Sequence, residues 1–316
     1  MKIPQPIPYQ GSKRNIARTI LSFFPHQFDT LVEPFAGSAG VSIAAATYGK
    51  SSKFHINDVN KPLMELWNEI INNPQGISDG YKKLWNEQKG REKEFYFVVR
   101  DKFNEIKRPD YFLYLLARCV KASIRYNSKC EFNQSPDNRR NGRDPKRMRD
   151  DIFAVSNLLR CRTIITSEDY KKVLEKVSET DLIYMDPPYQ GVCSGRDPRY
   201  YEGINFDEFI SQIEDLVERR VPFILSYDGR KGEKTYGKGI PANIGVKWIE
   251  VRAGRSTQST LLGKKEITYE SIYLSDELIR RLDLSYDDII KKHLTLYSKQ
   301  LILPLKGDSY EGRGII

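Results

Sequence analysis

The chain has 316 residues, 39% of them hydrophobic and 11% aromatic, a composition that is typical of globular proteins and excludes a disordered chain. A formal net charge of +9 favours a polyanionic partner, with nucleic acid ahead of an anionic membrane surface. No apolar run reaches the ~18 residues that a membrane span needs, and the first residues lack the apolar core of a signal peptide.

The first 72 residues alternate between strand and helix patterns. Residues 31–49 predict a short buried strand, a turn of small residues and an alanine-rich helix that ends at Gly49. A second strand is predicted over residues 53–58, and residues 60–72 have the apolar spacing of a helix. This order predicts an α/β fold with a Rossmann-like, doubly wound sheet.

Residues 73–158 interrupt this alternation and predict an inserted, mainly helical domain. The segment is rich in lysine, arginine, asparagine and aromatic residues, with an amphipathic helix predicted over residues 111–125 and a loop over residues 127–146. Six of the twelve residues 138–149 are basic, which suits contacts to phosphate groups but also suits a solvated loop.

The alternation resumes after the insert. Strands are predicted over Thr163–Thr166 and over residues 181–185, 222–227 and 266–274, and a helix over residues 206–219. We therefore expect a discontinuous α/β domain, an insert and a carboxy-terminal extension, over residues 1–72 with 159–275, 73–158 and 276–316, respectively. The extension contains one predicted helix, near residues 285–300, and its role is open.

Scattered cysteines and few histidines argue against metal chemistry. The four cysteines lie at positions 119, 130, 161 and 193 without a CxxC pair, and the chain has three histidines. We therefore expect no metal site and no disulfide framework, and we expect the protein to work in a reducing cytoplasm.

The sequence Asp186-Pro187-Pro188-Tyr189 directly follows the predicted strand that ends at Met185. Two consecutive prolines fix the backbone and remove two donors, so carbonyl oxygens are left as acceptors beside the Asp186 carboxylate. Open α/β sheets bind ligands at the carboxyl ends of their strands. Two acceptors and an aromatic ring in this position suit the exocyclic amino group and the flat ring of adenine.

A turn of small residues at 33–40, Glu-Pro-Phe-Ala-Gly-Ser-Ala-Gly, is a second candidate site. Small residues let the backbone approach a ligand at the start of a helix. Asp58 follows about 20 residues later at the next strand end, which is the spacing of a carboxylate that binds ribose hydroxyl groups. Asp58 could also cap the helix of residues 60–72.

These motifs, in this order, resemble those of the Dam-like, alpha-group (D12 class) DNA adenine-N6 methyltransferases, and the resemblance covers most of residues 5–275. It implies S-adenosylmethionine as cofactor, bound by the α/β domain, and a catalytic motif formed by Asp186, Pro187, Pro188 and Tyr189. Residues 8–13, Pro-Tyr-Gln-Gly-Ser-Lys, are similar to the family's amino-terminal motif, and Ala39 stands where glycine is usual. The implied cofactor-binding residues are Tyr9, Lys13, Glu33, Phe35, Ala36, Gly37, Asp58, Asp169, Tyr170 and Asp186.

The resemblance also implies that the insert recognises the target, so the expected partner is double-stranded DNA. Residues 125–136 are similar to the family's helix-then-hairpin segment, and basic residues follow it. The adenine would rotate out of the duplex to reach the cofactor, at a cost of about a few kcal/mol. The implied DNA-binding residues are Arg125, Tyr126, Asn127, Phe132, Asn133, Arg139, Arg140 and Arg143, and a second basic group, which could flank the DNA, is Arg252, Arg255, Lys264 and Lys265.

Other functions stay open at this point. The same motif can act on cytosine N4 or on an RNA base, although aspartate rather than serine at position 186 favours adenine. The fold could also serve a DNA-binding protein without turnover, whereas a dinucleotide-dependent enzyme fits poorly because Gly-x-Gly-x-x-Gly is absent. A restriction-modification system with a cognate restriction endonuclease is the expected context, and the residues do not define the target sequence.

Overall fold

Eight strands form one mixed sheet in the part of the chain that the computed structural model describes, residues 2–188, 204–231, 234–236, 239–241, 243–255, 267–282 and 287–288. Their order is β3-β2-β1-β4-β5-β8-β7, with β6 paired to β5. The strands from β3 to β5 in this order are parallel, and β8 pairs antiparallel with both β5 and β7. The strands are β1 (Leu31–Glu33), β2 (Phe54–Asn57), β3 (Thr163–Thr166), β4 (Leu182–Met185), β5 (Phe223–Lys231), β6 (Lys234–Tyr236), β7 (Val246–Arg255) and β8 (Ile267–Ser275).

The strand order reverses direction between β1 and β4. The chain runs outward from β1 to β2 and β3, and it then returns to place β4 and β5 on the other side of β1. Leu31 of β1 therefore has Phe54 as its partner on one side and Leu182 on the other. The predicted doubly wound, Rossmann-like sheet is confirmed, and ligands bind such sheets in the crevice at this reversal.

Side chains alternate between two hydrophobic cores on the two faces of the sheet. In β4, Leu182 and Tyr184 join the first core, while Ile183 and Met185 join the second, as the twofold period of a strand requires. The second core packs against α8 and α9, and the first extends into the helices of the insert. The helices are α1 (Ala17–Leu21), α2 (Gly40–Thr47), α3 (Lys61–Asn72), α4 (Pro74–Glu87), α5 (Glu92–Ile106), α6 (Pro109–Arg118), α7 (Pro145–Leu159), α8 (Tyr170–Lys176), α9 (Phe206–Glu218) and α10 (Asp276–Arg281).

Short polar side chains cap the helices that border the ligand side of the sheet. Asn60 Oδ1 accepts a hydrogen bond from the Leu63 amide (3.4 Å) and caps α3, and Asp169 Oδ1 accepts one from Lys171 (2.8 Å) and caps α8. The suggestion that Asp58 caps α3 is therefore wrong, because Asn60 holds that position. Asp58 instead accepts from the Asn60 amide, outside the helix.

Two predictions about the insert need correction. The helix predicted over residues 111–125 ends at Arg118, because Cys119 is extended and Lys121 and Ala122 have positive φ angles of 58° and 50°. The segment 138–149 is only partly a loop, since α7 begins at Pro145. The sequence did not predict β6, β7, α1, α4, α5, α7, α8 or α10 as individual elements. The helix predicted near residues 285–300 lies outside the described residues apart from 287–288.

Direct contacts join the insert to the α/β domain. Ser156 Oγ of α7 donates to the Ile71 carbonyl of α3 (2.7 Å), and the Gln10 amide donates to the Ala122 carbonyl (3.1 Å). The insert therefore shares one core with the sheet, although its proposed domain boundaries stay a prediction. Among the described helices, none combines the length and the apolar character that crossing a membrane would need.

Candidate active site

A cleft of about 380 Å³ opens at the reversal of the strand order, above the carboxyl ends of β1 and β4. Tyr189, the last residue of the predicted catalytic motif, lies outside the described residues. All other predicted catalytic and cofactor-binding residues line this one cleft: Tyr9, Lys13, Glu33, Phe35, Ala36, Gly37, Asp58, Asp169, Tyr170, Asp186, Pro187 and Pro188.

The turn after β1 forms the floor of the cleft through its backbone. Gly37 has a φ angle of +48°, and a Cβ atom there would lie 3.1 Å from the ring of Tyr9. The Gly37 carbonyl accepts from Trp67 Nε1 (2.9 Å), and its amide donates to Asp58 Oδ2 (3.0 Å). Both conformation and space therefore favour glycine at position 37.

Asn57 at the end of β2 holds three strand ends together, and the sequence analysis did not identify it. Its buried Nδ2 donates to the carbonyls of Pro34 and Glu168, both at 3.0 Å. Its Oδ1 accepts from Thr166 Oγ1 (2.8 Å) and from the Glu168 amide (2.9 Å). The only sequence signal was an amide residue directly before Asp58 at a predicted strand end.

Asp58 presents an oriented carboxylate to the cleft. Its two oxygens accept from the backbone amides of Gly37 (3.0 Å) and Asn60 (2.9 Å). Burial raises the pKa of Asp58, and these two hydrogen bonds oppose the increase. The group is thus a hydrogen-bond acceptor of fixed direction, as a ligand with vicinal hydroxyl groups needs.

Two aromatic side chains form a wall of the cleft. The rings of Phe35 and Tyr170 lie 5.0 Å apart, and Phe209 supports them from behind at 6.3 and 6.0 Å. Asp169 uses one carboxylate oxygen to cap α8. The wall offers flat apolar surface to a planar ring, with a carboxylate beside it.

Lys13 and Asp186 of the cleft form a charged cluster with Glu270 of β8. Lys13 Nζ lies 2.8 Å from Asp186 Oδ1 and 3.6 Å from Glu270 Oε2, and the three side chains are 9%, 22% and 16% exposed. Burial raises the pKa of Asp186 to about 6, while Lys13 lowers it and Glu270 raises it. Glu270 was missed because only the fold brings β8 to Lys13.

Glu33 is the most deeply buried acid of the site. It is 1% exposed, and burial raises its pKa to about 8 despite a hydrogen bond from the Ser42 amide. The nearby Asp186 raises it further. Glu33 is therefore largely protonated at neutral pH, so it adds little negative charge beside Asp186 while it holds the start of α2.

The predicted recognition hairpin is present at residues 125–133. The Asn133 amide donates to the Arg125 carbonyl (3.0 Å), and the Asn127 amide donates to the Glu131 carbonyl (2.9 Å). Tyr126 and Phe132 pair across the hairpin and are 8% and 1% exposed, so their rings pack in the core. Asn127 Oδ1 shapes the turn by accepting from two backbone amides, whereas the Asn133 side chain is exposed and Arg125 is half-buried.

The three arginines after the hairpin differ in their surroundings. Arg139 and Arg140 are 72% and 73% exposed, and both lie near Asp137. The guanidinium of Arg143 instead donates to the Gln5 carbonyl (2.6 Å) and pairs with Asp151 (2.5 Å). These contacts favour a structural role for Arg143 over a phosphate contact.

The second basic group is only partly described. The backbones of Arg252 and Arg255 lie on β7, while their side chains, together with Lys264 and Lys265, lie outside the described residues. The suggestion that this group flanks DNA stays a prediction.

The chain is similar to named methyltransferases. It is 28% identical to the type II methyltransferase M1.LlaDCHI of Lactococcus lactis subsp. cremoris over 57% of this chain and 64% of that protein. Identity is 27% to the type II methyltransferase M.MjaIII of Methanocaldococcus jannaschii, over 60% and 70% of the two chains. It is 25% to a DNA adenine methylase of Haemophilus influenzae, over 57% and 62%. The match thus spans just under two thirds of the Lactococcus and Haemophilus proteins.

A sequence model of one family covers most of the chain. The model of the D12 class N6 adenine-specific DNA methyltransferases matches residues 9–257, a range that begins at Tyr9 of the cleft and includes the Asp186 motif. The match also spans the turn after β1 and the whole insert. This chain therefore belongs to the D12 class N6 adenine-specific DNA methyltransferase family.

Proposed function

We propose that the protein transfers a methyl group from S-adenosylmethionine to the exocyclic N6 of adenine in double-stranded DNA. One observation supports this most strongly. The Asp186 carboxylate and the Pro187–Pro188 backbone open into the same cleft as Asp58 and the turn after β1. An acceptor pair for an amine and a cradle for a nucleoside cofactor therefore share one space.

The residues of the cleft fit S-adenosylmethionine. Asp58 supplies a directed acceptor for the two ribose hydroxyl groups, and the wall of Phe35 and Tyr170 suits an adenine ring. The ring of Tyr9 lies against Gly37, and both residues line the cleft. When bound, the cofactor supplies a methyl group on a positively charged sulfur.

The chain's own residues position the amine rather than act as a strong base. An ionised Asp186 and the Pro187 carbonyl accept hydrogen bonds from the two N6 hydrogens of adenine, which directs the nitrogen lone pair toward the methyl carbon. As the N–C bond forms, the bond between sulfur and the methyl carbon would break with its electron pair on sulfur, and S-adenosylhomocysteine would leave. One proton is then in excess on N6, and Asp186 is the adjacent acceptor. Lys13 holds the Asp186 carboxylate in place through the 2.8 Å contact.

The adenine reaches this site by rotating out of the duplex, at a cost of about a few kcal/mol for lost stacking. Tyr189 then stacks on the extruded ring. Ile124 and Gln10 line the cleft from the insert and the amino-terminal segment, so they border the path of the base.

The insert binds the DNA around the extruded adenine. The exposed Asn133 side chain on the hairpin and the exposed Arg139 and Arg140 side chains are the contacts that the structure favours among the predicted set. Arginine suits both phosphate oxygens and guanine edges. Arg143 supports the insert from within, through Asp151.

A cognate restriction endonuclease is the proposed functional partner, and the cytoplasm is the proposed location of the modified DNA. Support comes from two relatives that are named type II methyltransferases. Expression in a host that lacks the modification, followed by digestion of its DNA with endonucleases of known specificity, identifies the protected site. Protection from none of them would contradict the proposal.

Radiolabelled S-adenosylmethionine tests the function directly. Asp186→Ala is expected to abolish label transfer to duplex DNA while the dissociation constant for DNA is kept. Asp215→Ala removes a 48% exposed carboxylate of α9 outside the cleft and serves as the control that keeps activity. Full activity of Asp186→Ala would refute the catalytic role of Asp186. If mass spectrometry finds N4-methylcytosine instead of N6-methyladenine, the acceptor is cytosine and not adenine.

A further inference from the structure

Three buried side chains hold one surface loop from beneath. The loop comprises residues 137–143. It contains Arg139 and Arg140, and we call it the arginine loop. Tyr81 of α4, Gln88 at the end of α4 and Arg118 at the end of α6 lie under it, and each is 1% exposed. Nothing in the cofactor cleft uses these three residues, since none of them lines it.

Each of the three side chains donates to the backbone of the loop. Loop carbonyls at a protein surface are ordinarily solvated, so buried donors for several of them in succession indicate a loop of defined conformation. The Asp137 amide donates to the Arg118 carbonyl (2.8 Å) and fixes the start of the loop. The loop carbonyls accept as follows: Arg140 from Arg118 Nη1, Asn141 from Gln88 Nε2 (2.8 Å) and Arg143 from Tyr81 Oη (2.7 Å).

The packing beneath the loop is tight at Gly142. Gly142 has a φ angle of +83°, and a Cβ atom there would lie 3.1 Å from Tyr81 Oη and 3.3 Å from Arg118 Cδ. Arg118 also donates to the Glu92 carbonyl (3.1 Å), so its buried guanidinium joins α5 to the loop. Burying an arginine is unfavourable unless its donors are satisfied. Backbone carbonyls accept from Nη1 and Nη2 of Arg118, whereas its buried Nε has no hydrogen-bond partner among the described residues.

The outer side of the loop presents positive charge. Asp137 is 6% exposed on its side chain and binds Arg139 Nε (2.9 Å) and Nη2 (3.1 Å) through its two oxygens. This two-point contact orients the guanidinium of Arg139 and does not use its Nη1 group. Arg140 Nε lies 3.7 Å from Asp137, and both arginine side chains are more than 70% exposed, at 72% and 73%.

We propose that Tyr81, Gln88 and Arg118 are positioning residues for DNA binding, which hold the arginine loop in its DNA-binding conformation before DNA arrives. This inference rests on the proposed function, because it takes the phosphate groups of duplex DNA as the ligand of Arg139 and Arg140. A loop that is already ordered in the free protein loses little conformational entropy when it binds DNA. Its order therefore raises the affinity for DNA without any new contact.

Tyr81→Phe tests the proposal with the smallest change, because it removes only the hydroxyl that donates to Arg143. The dissociation constant is measured with a duplex oligonucleotide in an equilibrium binding assay without cofactor, at low ionic strength. We expect binding about fivefold weaker, as the loss of one buried hydrogen bond allows. Ser156→Ala loses a similar buried hydroxyl contact, 2.7 Å from the Ile71 carbonyl, and is the control that keeps DNA affinity.

A double-mutant cycle separates positioning from general stability. In an Arg139→Ala, Arg140→Ala background, Tyr81→Phe should weaken binding by less than about twofold, because the loop has lost the side chains that it presents. An equal effect of Tyr81→Phe in both backgrounds, or no effect on the wild-type affinity, would overturn the proposal. The double-mutant cycle measures DNA binding and needs no turnover, so it does not depend on methyl transfer. If the proposed function is wrong, the radiolabel assay shows it, because the wild-type protein then transfers no methyl group.

Discussion

Replacing Lys13 with methionine should move the acidic side of the pH–rate profile to higher pH. Lys13 Nζ lies 2.8 Å from Asp186 Oδ1, and an ammonium group this close lowers the pKa of a carboxyl by about 1–3 units. With Lys13 present, burial and Glu270 still raise the pKa of Asp186 to about 6. Without Lys13, the pKa of Asp186 is therefore expected at about 7–9.

The proposed chemistry needs ionised Asp186, which sets the sign of the effect. The charged acceptor is lost as the pH falls through the pKa, so a higher pKa removes activity at a higher pH. At pH 7 a carboxyl of pKa about 6 is roughly nine-tenths ionised, and one of pKa about 8 is roughly one-tenth ionised. From this cause alone kcat/KM at pH 7 should fall about tenfold and recover above about pH 9.

The assay is kcat/KM for DNA between pH 5 and pH 10, with Glu270→Gln as the matched variant. Glu270 raises the pKa of Asp186, so its removal should move the same limb to lower pH. A general loss of stability cannot shift two variants in opposite directions. An acidic limb at the same pH in the wild type and both variants would refute the reasoning.

Three further predictions concern the turn after β1 and its neighbours. Ala39 is buried with a φ angle of 47°, so Ala39→Gly should raise the free energy of unfolding in urea by about 1 kcal/mol. Burial raises the pKa of Glu33 from 4.5 to about 8, so the native protein loses stability relative to the unfolded chain as pH rises through this window. Glu33→Gln removes this loss of stability with pH. Calorimetry should therefore show that the melting temperature of the variant, relative to that of the wild type, rises between pH 5 and pH 8. In Asp58→Asn, one acceptor oxygen remains for the two backbone amides that Asp58 binds. Titration with S-adenosylmethionine should show that the affinity of this variant for the cofactor is at least about tenfold lower.

The candidate site could be predicted from the sequence wherever a motif stands at a strand end. Asp58 follows a segment in which apolar residues alternate, Asp186 follows an apolar run, and both segments are predicted strands. Parallel strands bring their carboxyl ends to one edge of the sheet. The two acids therefore had to meet near each other once the doubly wound order was inferred. The assignment of Tyr9 and Lys13 to the same cleft came from the family resemblance, since nothing in their local pattern indicates a position over β4.

The insert was less predictable because its charged residues look alike in sequence. Arg139, Arg140 and Arg143 stand within five residues, yet the first two are exposed and the third pairs with Asp151. Helix α6 also ended earlier than its apolar spacing suggested, because the chain turns back after Arg118 to form the hairpin. Tertiary contacts decided both features, and at the end of α6 they overrode local helix propensity.

The sequence by itself determined the main elements of the α/β domain, which are β1 to β5, β8, α2, α3 and α9, together with the family's catalytic motif. Periodicity, turn residues and prolines act over short stretches of chain, so these features are visible without the fold. Only the tertiary structure decided that Glu270 shares Lys13 with Asp186, that Asn57 joins three strand ends, and that Arg118 lies beneath the arginine loop. These contacts join segments that are far apart in sequence. Their energies depend on burial and distance, which arise only when the sheet and the insert have packed together.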